Sequence, residues 1–532
     1  MRQSAPRPRS LYNRVSDSMS VAPVLNPPRR RGPAKFATSL LRRLPRIPSS
    51  LGELLLTPVV LFVHGFHPWA NDAGIYVAGI RRMLHPSLYP LNSAFVETFA
   101  RHSIFAATMA GAVRVSRLPL TWVLFIAHLL TIFLFLMACR QLAAQLFGGK
   151  QVQWCVLLLA AACFTLPVAG TALSVMDPYL TARSFSTPLS LMAVAASLDR
   201  RWVRTALLLA LAVLFHPLMA AYAVVFIALH WLIAAGRRRL ALAICGAAIL
   251  AAAVACALAH RLPISPACSQ AVSLPERTFL FLPRWHWYEV LGLVLPMALL
   301  AAGTLRLGVR SRRGAVCLTC LYFGASSFLI ATLIHPGAGP YLLVSLQVLR
   351  AFHLIYLLGI VLSGAVLARI MSRSPVTATL LLGLLFAGMF AAQRVSWPGN
   401  RHVEWPGQKP TNAYRQAFLW IRDHTPQNAV FAFNPRLVYL PGEEEQGFRA
   451  IAERDQLADD KDAGVVVVAP WLADRWAAQR NAQLNVDRMS DAQRRAALAP
   501  MGASWLLLPR DARTDFHCPW QNSVVRVCRL AR

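Results

Sequence analysis

Long apolar runs separated by short arginine-rich connectors fill the chain from residue 51 to residue 394. Runs of this kind approach the length of about 20 residues that a helix needs to cross a hydrocarbon core. They predict an α-helical polytopic membrane protein with about eleven membrane segments. We place the segments at 51–66, 119–138, 152–170, 185–198, two arms within 205–235, 240–259, 288–305, 315–334, 351–368 and 376–393.

The run from Thr205 to Ala235 is interrupted by "HPL" at 216–218 and has arginine-rich flanks at both ends. Because proline ends a helix and both flanks favour the same side, we expect a helical hairpin that turns near His216. Its first arm has about 11 apolar residues, roughly 17 Å, which is too short to cross the core. The turn should therefore face protein or water.

Two polar segments flank this membrane part. Residues 1–50 are rich in Pro, Ser and Arg and predict a basic, disordered cytosolic tail, in which "AKFATSLLRRL" (34–44) suits an interfacial helix. Between the first two membrane segments, "SAFVETFARHSIFAATMAGAVRV" (93–115) is amphipathic and is expected to lie along the interface. The arginines after each inward segment predict a cytosolic N-terminus and an extracytoplasmic C-terminus.

Composition agrees with this topology. The chain is 56% hydrophobic and 14% charged, whereas a soluble protein carries about 25% charged residues. The formal charge of +31 is also typical of proteins that bind nucleic acid. However, the arginines lie in the tail and between apolar runs, so the lipid bilayer is the expected partner and nucleic acid is not.

The composition becomes that of a soluble protein after Arg394, so we divide the chain into 1–50, 51–394 and 395–532. "TNAYRQAFLWIRDHTP" predicts a helix, "NAVFAF" and "SWLLLP" predict buried strands, and "CPWQNSVVRVC" predicts a closing hairpin. The last domain is therefore expected to be a small extracytoplasmic α/β domain. In an oxidising compartment Cys518 and Cys528 could form a disulfide, the alternative being two reduced thiols.

The segment 448–464, "FRAIAERDQLADDKDAG", allows two interpretations. Its charged side chains form either a solvated face or an ion-paired core that orders the domain over a membrane site. They are Arg449, Arg454, Asp455, Asp459 and Lys461.

Polar side chains that suggest chemistry collect in the loops expected outside the membrane. They are Asp72, Asp177, Arg183, Glu276, Arg277, His335, Arg350 and His353. Arg350 is the most informative, because a cation inside an apolar stretch usually faces a cavity or a partner. It could clamp a phosphate or carboxylate, or it could extend to the lipid headgroups.

Besides Arg350, two further candidates allow a purely structural role as an alternative to a functional one. Asp72 either caps the next helix or takes part in chemistry. In the second case it acts as a general base, or it binds a divalent metal together with Asp177. His216 either stabilises the helix break or lines the site.

The layout resembles the GT-C fold of membrane glycosyltransferases. The matched pieces are "NDAGIY…LYPLNSAFV", "DPYLTARSFSTPLSL", "LFHPLMAAYAV" and "AFLWIRDHTPQNAVFAFNP", spread over most of residues 51–440. The acidic residue of the family's first loop maps to Asp72, and its second acidic site maps to Asp177. The second loop has a single Asp instead of a paired motif.

The resemblance, which extends to bacterial proteins of this layout, implies transfer of a sugar from a polyprenyl-phosphate-linked donor at the outer face of a bacterial cytoplasmic membrane. Asp72 and Asp177 would be catalytic, and the other polar residues, including His216, would bind substrate. Two other classes stay open: a transporter or flippase for a lipid or anionic solute, and a non-catalytic membrane scaffold. A broken apolar hairpin and a membrane-depth arginine also suit a transporter.

Overall fold

The computed structural model describes residues 49–259, 264–336 and 341–530. The predicted basic tail and its interfacial helix at 34–44 lie outside the described residues. Helices make up the described chain up to Ser396. In chain order they are α1 (Ser49–His64), α2 (Asp72–Leu84), α3 (Ser93–Arg101), α4 (Phe105–Ser116), α5 (Leu120–Leu146), α6 (Lys150–Ala162), α7 (Ala182–Leu198), α8 (Trp202–Phe215), α9 (Pro217–Ala234), α10 (Arg238–Leu258), α11 (Pro266–Val272), α12 (Trp287–Leu307), α13 (Arg312–Thr332), α14 (Tyr341–Leu346), α15 (Phe352–Arg373) and α16 (Pro375–Ser396).

Each predicted membrane segment overlaps one of these helices. Among the described residues, seven helical stretches are long and apolar enough to cross a membrane: α5, α9, α10, α12, α13, the stretch from α14 through α15, and α16. Helices α1, α6 and α8 are apolar but shorter. The chain is thus a multi-pass helical protein, and the number of eleven segments remains a prediction.

The third predicted segment, 152–170, is shorter than expected. Helix α6 ends at Ala162, and the chain then folds into a loop in which Val168 N donates to the carbonyl of Leu173 (2.8 Å). Pro167 lies in this loop and cannot donate a backbone hydrogen bond, so a helix that continued through it would be broken. The 13 residues of α6 rise only about 20 Å.

The break at His216 is present. His216 is extended (φ −149°), and its Nδ1 accepts a hydrogen bond from Met219 N (3.4 Å) at the start of α9. The carbonyls freed at the end of α8 are satisfied by another segment: Ile104 N donates to Leu214 O (2.9 Å), and Ser103 Oγ donates to the next carbonyl. The same segment separates α3 from α4, so the amphipathic stretch 93–115 forms two helices.

The C-terminal part forms the expected α/β arrangement. Its elements are α17 (Ala413–His424), β1 (Val430–Ala432), α18 (Phe448–Ala452), β2 (Asp455–Gln456), α19 (Ala463–Val468), α20 (Ala473–Gln483), α21 (Asp491–Leu498), β3 (Trp505–Pro509), β4 (Trp520–Gln521) and β5 (Val525–Arg529). The strand order is β2-β1-β3-β5-β4; β1 is parallel to β2 and β3, and β5 is antiparallel to β3 and β4.

Side chains alternate across this sheet, and helices cover both faces. Phe431 packs with Phe418 of α17 and Phe448 of α18 on one face. The neighbouring Ala432 packs with Leu498 of α21 on the other face. A disulfide joins Cys518 and Cys528 beside the hairpin of β4 and β5.

Backbone hydrogen bonds join the C-terminal domain to the loop between α1 and α2. Gly447 N donates to Trp69 O (3.0 Å), and Asn71 N donates to Glu445 O (2.8 Å). The two chains approach so closely at Gly74 that a Cβ there would lie 2.8 Å from Gly447 Cα. Only glycine fits at both positions, and the close contact holds the domain over the start of α2.

Candidate functional site

Asp72 is the first residue of α2 and lies in a recess between the first loop and the C-terminal domain. Its carboxylate pairs with Lys461 Nζ at 2.9 Å, and 43% of its side chain remains exposed. Lys461 also donates to the side chain of Asn71. A polar residue at the start of a helix is often only a cap, but here the carboxylate binds a lysine from the other end of the chain. The recess therefore brings opposite charges together while staying open to solvent.

A buried ion-paired cluster holds Lys461 in place. Arg449 donates to both carboxylate oxygens of Asp462 (2.8 and 3.0 Å), and Asp459 accepts from Asp462 N (2.9 Å). Arg277 donates to the carbonyl of Lys461 (3.1 Å). Of the two interpretations of residues 448–464, the structure therefore has the ion-paired core, not the solvated face.

The second acidic loop lies against the first. His67 N donates to Pro178 O (2.8 Å), which ties the two loops together by their backbones. Asp177 accepts a hydrogen bond from Arg183, the second residue of α7, and both side chains are buried. The other terminal nitrogen of Arg183, Nη1, is buried without a hydrogen bond. Asp177 thus orients Arg183, whose Nη1 has no hydrogen-bond partner.

Arg350 lies in a 3₁₀ turn, Val348–Ala351, just before α15. Its guanidinium stacks over the ring of Phe279, 4.9 Å from the centroid, and its Nε is buried without a hydrogen bond. The ion pairs of Asp72 and Asp177 are made by Lys461 and Arg183. Among the described residues, Arg350 therefore has no carboxylate partner, and the same holds for Arg277, whose guanidinium packs on the same ring and donates to backbone carbonyls.

Electrostatic interactions link these groups. The protein surrounding the partly exposed Asp72 would raise the pKa of its carboxyl group, but Lys461, followed by Arg350 and Arg183, lowers that pKa well below its usual range. Burial raises the pKa of Asp177, and Arg183 and Arg350 oppose this shift in part. Both arginines act on both aspartates. The charged groups of the first loop, the second loop and the turn before α15 are therefore near enough to influence one another.

The other candidates from the sequence have mainly structural contacts. His353 is buried and hydrogen-bonds to Val175 O (2.9 Å), so it fixes the second loop. Glu276 pairs with Arg436 at 2.9 Å, and Arg277 supports Lys461 as described. His335 is exposed after α13. His216 caps α9 through its Nδ1.

The residues present do not form a donor set for a divalent metal. Metal binding requires several anionic or neutral donors that converge on one point, whereas each aspartate here is paired with a cation. No group of three or more His, Cys, Asp and Glu side chains within the described ranges is arranged to hold a metal ion. We therefore assign no step to a metal.

Three polar residues near the two aspartates were not among the sequence candidates. Glu445 is close enough to Lys461 and Asp72 for their charges to act on its pKa, which burial raises. Tyr76 and Tyr179 lie close enough to both aspartates for the carboxylates to act on the pKa values of the two phenols, which burial also raises. "GEEEQG" and "DPYL" are the only sequence signals for Glu445 and Tyr179, and neither has a distinctive spacing.

Comparison with known proteins gives a loose likeness in fold. No protein-family model and no curated protein matches the chain. Among solved structures, the chain is similar to an archaeal oligosaccharyltransferase, AglB from Archaeoglobus fulgidus, in complex with an inhibitory peptide and a dolichol-phosphate. That match has 11% sequence identity and a TM-score of 0.45, and it covers 86% of this chain and 69% of the other. The roles proposed below rest on the side chains of this chain alone.

Proposed function

We propose that this protein is a membrane glycosyltransferase that transfers a sugar from a polyprenyl-phosphate-linked donor at the outer face of the cytoplasmic membrane. One observation supports the proposal: the partly exposed carboxylate of Asp72 is near enough for the charges of Arg183 and Arg350 to act on it, and each of these arginines has a nitrogen without a hydrogen bond. Sugar transfer from a lipid phosphate needs these two kinds of group, an acceptor for a hydroxyl proton and cations for the departing phosphate.

Arg183 and Arg350 would hold the lipid phosphate. Arginine binds phosphate oxygens through two or more N–H groups, and both side chains have a buried nitrogen without a hydrogen bond. Negative charge grows on the phosphate as the sugar leaves, so cations fixed in place stabilise the transition state more than the ground state. Asp177 would be a positioning residue that orients Arg183.

Asp72 would accept a hydrogen bond from the attacking hydroxyl and orient it. Its lowered pKa keeps the carboxylate ionised near neutral pH but makes it a weak base while Lys461 is paired with it. Arrival of the acceptor would have to weaken the Lys461 pair before Asp72 could take the proton.

The test uses membranes that contain the full chain, a polyprenyl-phosphate-linked radiolabelled hexose and measurement of covalent product. Arg350→Gln should lower turnover by about a hundredfold, the scale of losing one fixed donor to a developing charge. Asp72→Asn should also abolish most turnover. Matched controls are Arg369→Gln, at the far end of α15, and Asp423→Asn; both residues are exposed and should be neutral. Full turnover in both site variants would refute the proposal.

A non-catalytic scaffold is the second candidate, because Asp72 and Asp177 are both already neutralised by ion pairs. In that case no tested donor would give product. Lys461→Met would then weaken the contact between the C-terminal domain and the first loop, and no enzymatic activity would be affected.

A further inference from the structure

A second cavity lies at the opposite end of the helix bundle from Asp72. It has a volume of about 590 Å³, within the range of roughly 300–1,000 Å³ typical of small-molecule sites. Three tight turns surround it, those joining α7 to α8, α9 to α10 and α12 to α13. Helix α7 begins beside Arg183 and ends at this cavity, so its 17 residues place the two regions roughly 25 Å apart.

The lining of this cavity is strongly cationic. Four arginines from the three turns contribute to it, and no Asp or Glu is found among the described residues that line it. The arginines are Arg200, Arg238, Arg310 and Arg312. Asp199, adjacent in sequence, is paired with Arg201 at 2.6 Å. Three helices end at the cavity and three begin there, so their dipoles largely offset one another and the arginines determine the sign of the potential.

These arginines retain unused donors. Arg312 donates through Nη1 to Gln145 O (3.0 Å), which fixes its position without neutralising it. The Nε of Arg238 is buried without a hydrogen bond. A buried donor without a partner is costly, and an anion in the cavity would satisfy it.

The surroundings of the cavity are those of a lipid headgroup region. Trp202 and Trp231 line it and are 46% and 48% exposed. Tryptophan is enriched at the boundary between hydrocarbon and water. Below this rim, α9 and α10 expose apolar side chains such as Val225 and Leu240. A molecule in the cavity could therefore keep its phosphate among the arginines and its chains along this apolar surface.

We propose that this cavity binds the phosphate headgroup of an anionic phospholipid from the arginine-rich side of the membrane. Basic pockets between transmembrane helices are known to bind such headgroups. The proposal does not depend on the glycosyltransferase proposal, because it concerns the other end of the bundle and other residues.

The test measures lipid retention by native mass spectrometry on the full chain purified in detergent. Phosphatidylglycerol and phosphatidylcholine are offered in competition, and inorganic phosphate is offered as a soluble competitor. The wild-type chain should prefer phosphatidylglycerol, and millimolar phosphate should not displace it. Absence of this preference would overturn the proposal, and displacement by phosphate would identify a soluble-anion site instead.

Variants assign the preference to the cavity. Arg238→Gln with Arg310→Gln removes two lining charges and should weaken phosphatidylglycerol binding roughly thirtyfold. The matched control, Arg239→Gln with Arg306→Gln, removes two exposed charges beside the same turns that do not line the cavity. Equal losses in the two double variants would overturn the proposal. If the lining variant does not fold, the single variants Arg310→Gln, which removes one lining charge, and Arg306→Gln, which does not, make the same comparison.

Discussion

The contact between Gly74 and Gly447 gives a sharp test of how the C-terminal domain is held. In Gly74→Ala the new Cβ would lie 2.8 Å from the Cα of Gly447, and in Gly447→Ala it would lie 2.6 Å from the Cα of Gly74. Both neighbours are backbone atoms, so no flexible side chain can move away. Overpacking of this kind costs about 1–3 kcal/mol.

Helix α2 contains its own control, Gly79. A Cβ at Gly79 would lie 3.4 Å from Ala100 Cβ, which is ordinary contact. Replacing glycine by alanine in a helix stabilises it by up to about 1 kcal/mol, and both variants share that gain. We therefore expect Gly74→Ala to be less stable than Gly79→Ala by about 1–3 kcal/mol.

The assay is thermal unfolding in detergent, followed by tryptophan fluorescence at one scan rate for all variants. Gly74→Ala and Gly447→Ala should unfold several degrees below Gly79→Ala. If Gly74→Ala unfolds at or above the temperature of Gly79→Ala, the two backbones are not in contact and the docking described here is wrong.

Three further predictions concern the C-terminal domain. Arg449→Met leaves Asp462 without its buried partner and should lower the free energy of unfolding by about 3–5 kcal/mol. The control Arg422→Met removes an exposed pair with Asp423 and should lower it by no more than about 1 kcal/mol. Thermal unfolding compares the two variants, and equal losses of stability would contradict the buried cluster. Burial and Asp462 raise the pKa of Asp459 to about 7, so the folded state holds an extra proton and stability should fall as pH rises from about 4 to 7. Asp459→Asn should flatten unfolding curves measured across that range, and an unchanged slope would count against this assignment. The Cys518–Cys528 disulfide links residues ten apart, and its reduction should lower the free energy of unfolding by about 2–3 kcal/mol. Unfolding measured with and without reductant checks this. The control is Cys518→Ser, whose stability should not change when reductant is added.

Local sequence patterns predicted the positions of the helices and strands well, but not which of them contact one another. The apolar runs located the helices. The hairpin and the other helices and strands after Arg394 were predicted from the spacing of hydrophobic residues and from turn residues. The loop after Ala162 was missed because residues 163–170 are as apolar as the helix before them. An apolar run indicates that a segment is buried but not that it is helical. A buried loop closed by its own hydrogen bonds is therefore as apolar as a helix.

The candidate site could be predicted only in part. Asp72, Asp177 and Arg350 stood out because charges in or beside apolar segments are costly. The partners of the aspartates were not foreseeable in the same way. Lys461 lies in a charged stretch for which the sequence left a solvated face and an ion-paired core both open, and its pairing with Asp72 depends on the folding of the whole C-terminal domain.

The hydrogen bond from Gly447 N to Trp69 O has a consequence for biosynthesis. The ribosome makes Trp69 early and Gly447 only after most of the bundle, a delay on the order of tens of seconds. During that interval the peptide groups of the first loop must be hydrated or held by an insertion factor. A nascent chain stalled before the last domain would thus present a bundle whose outer loop is unfinished, and quality-control proteases could recognise it by that loop.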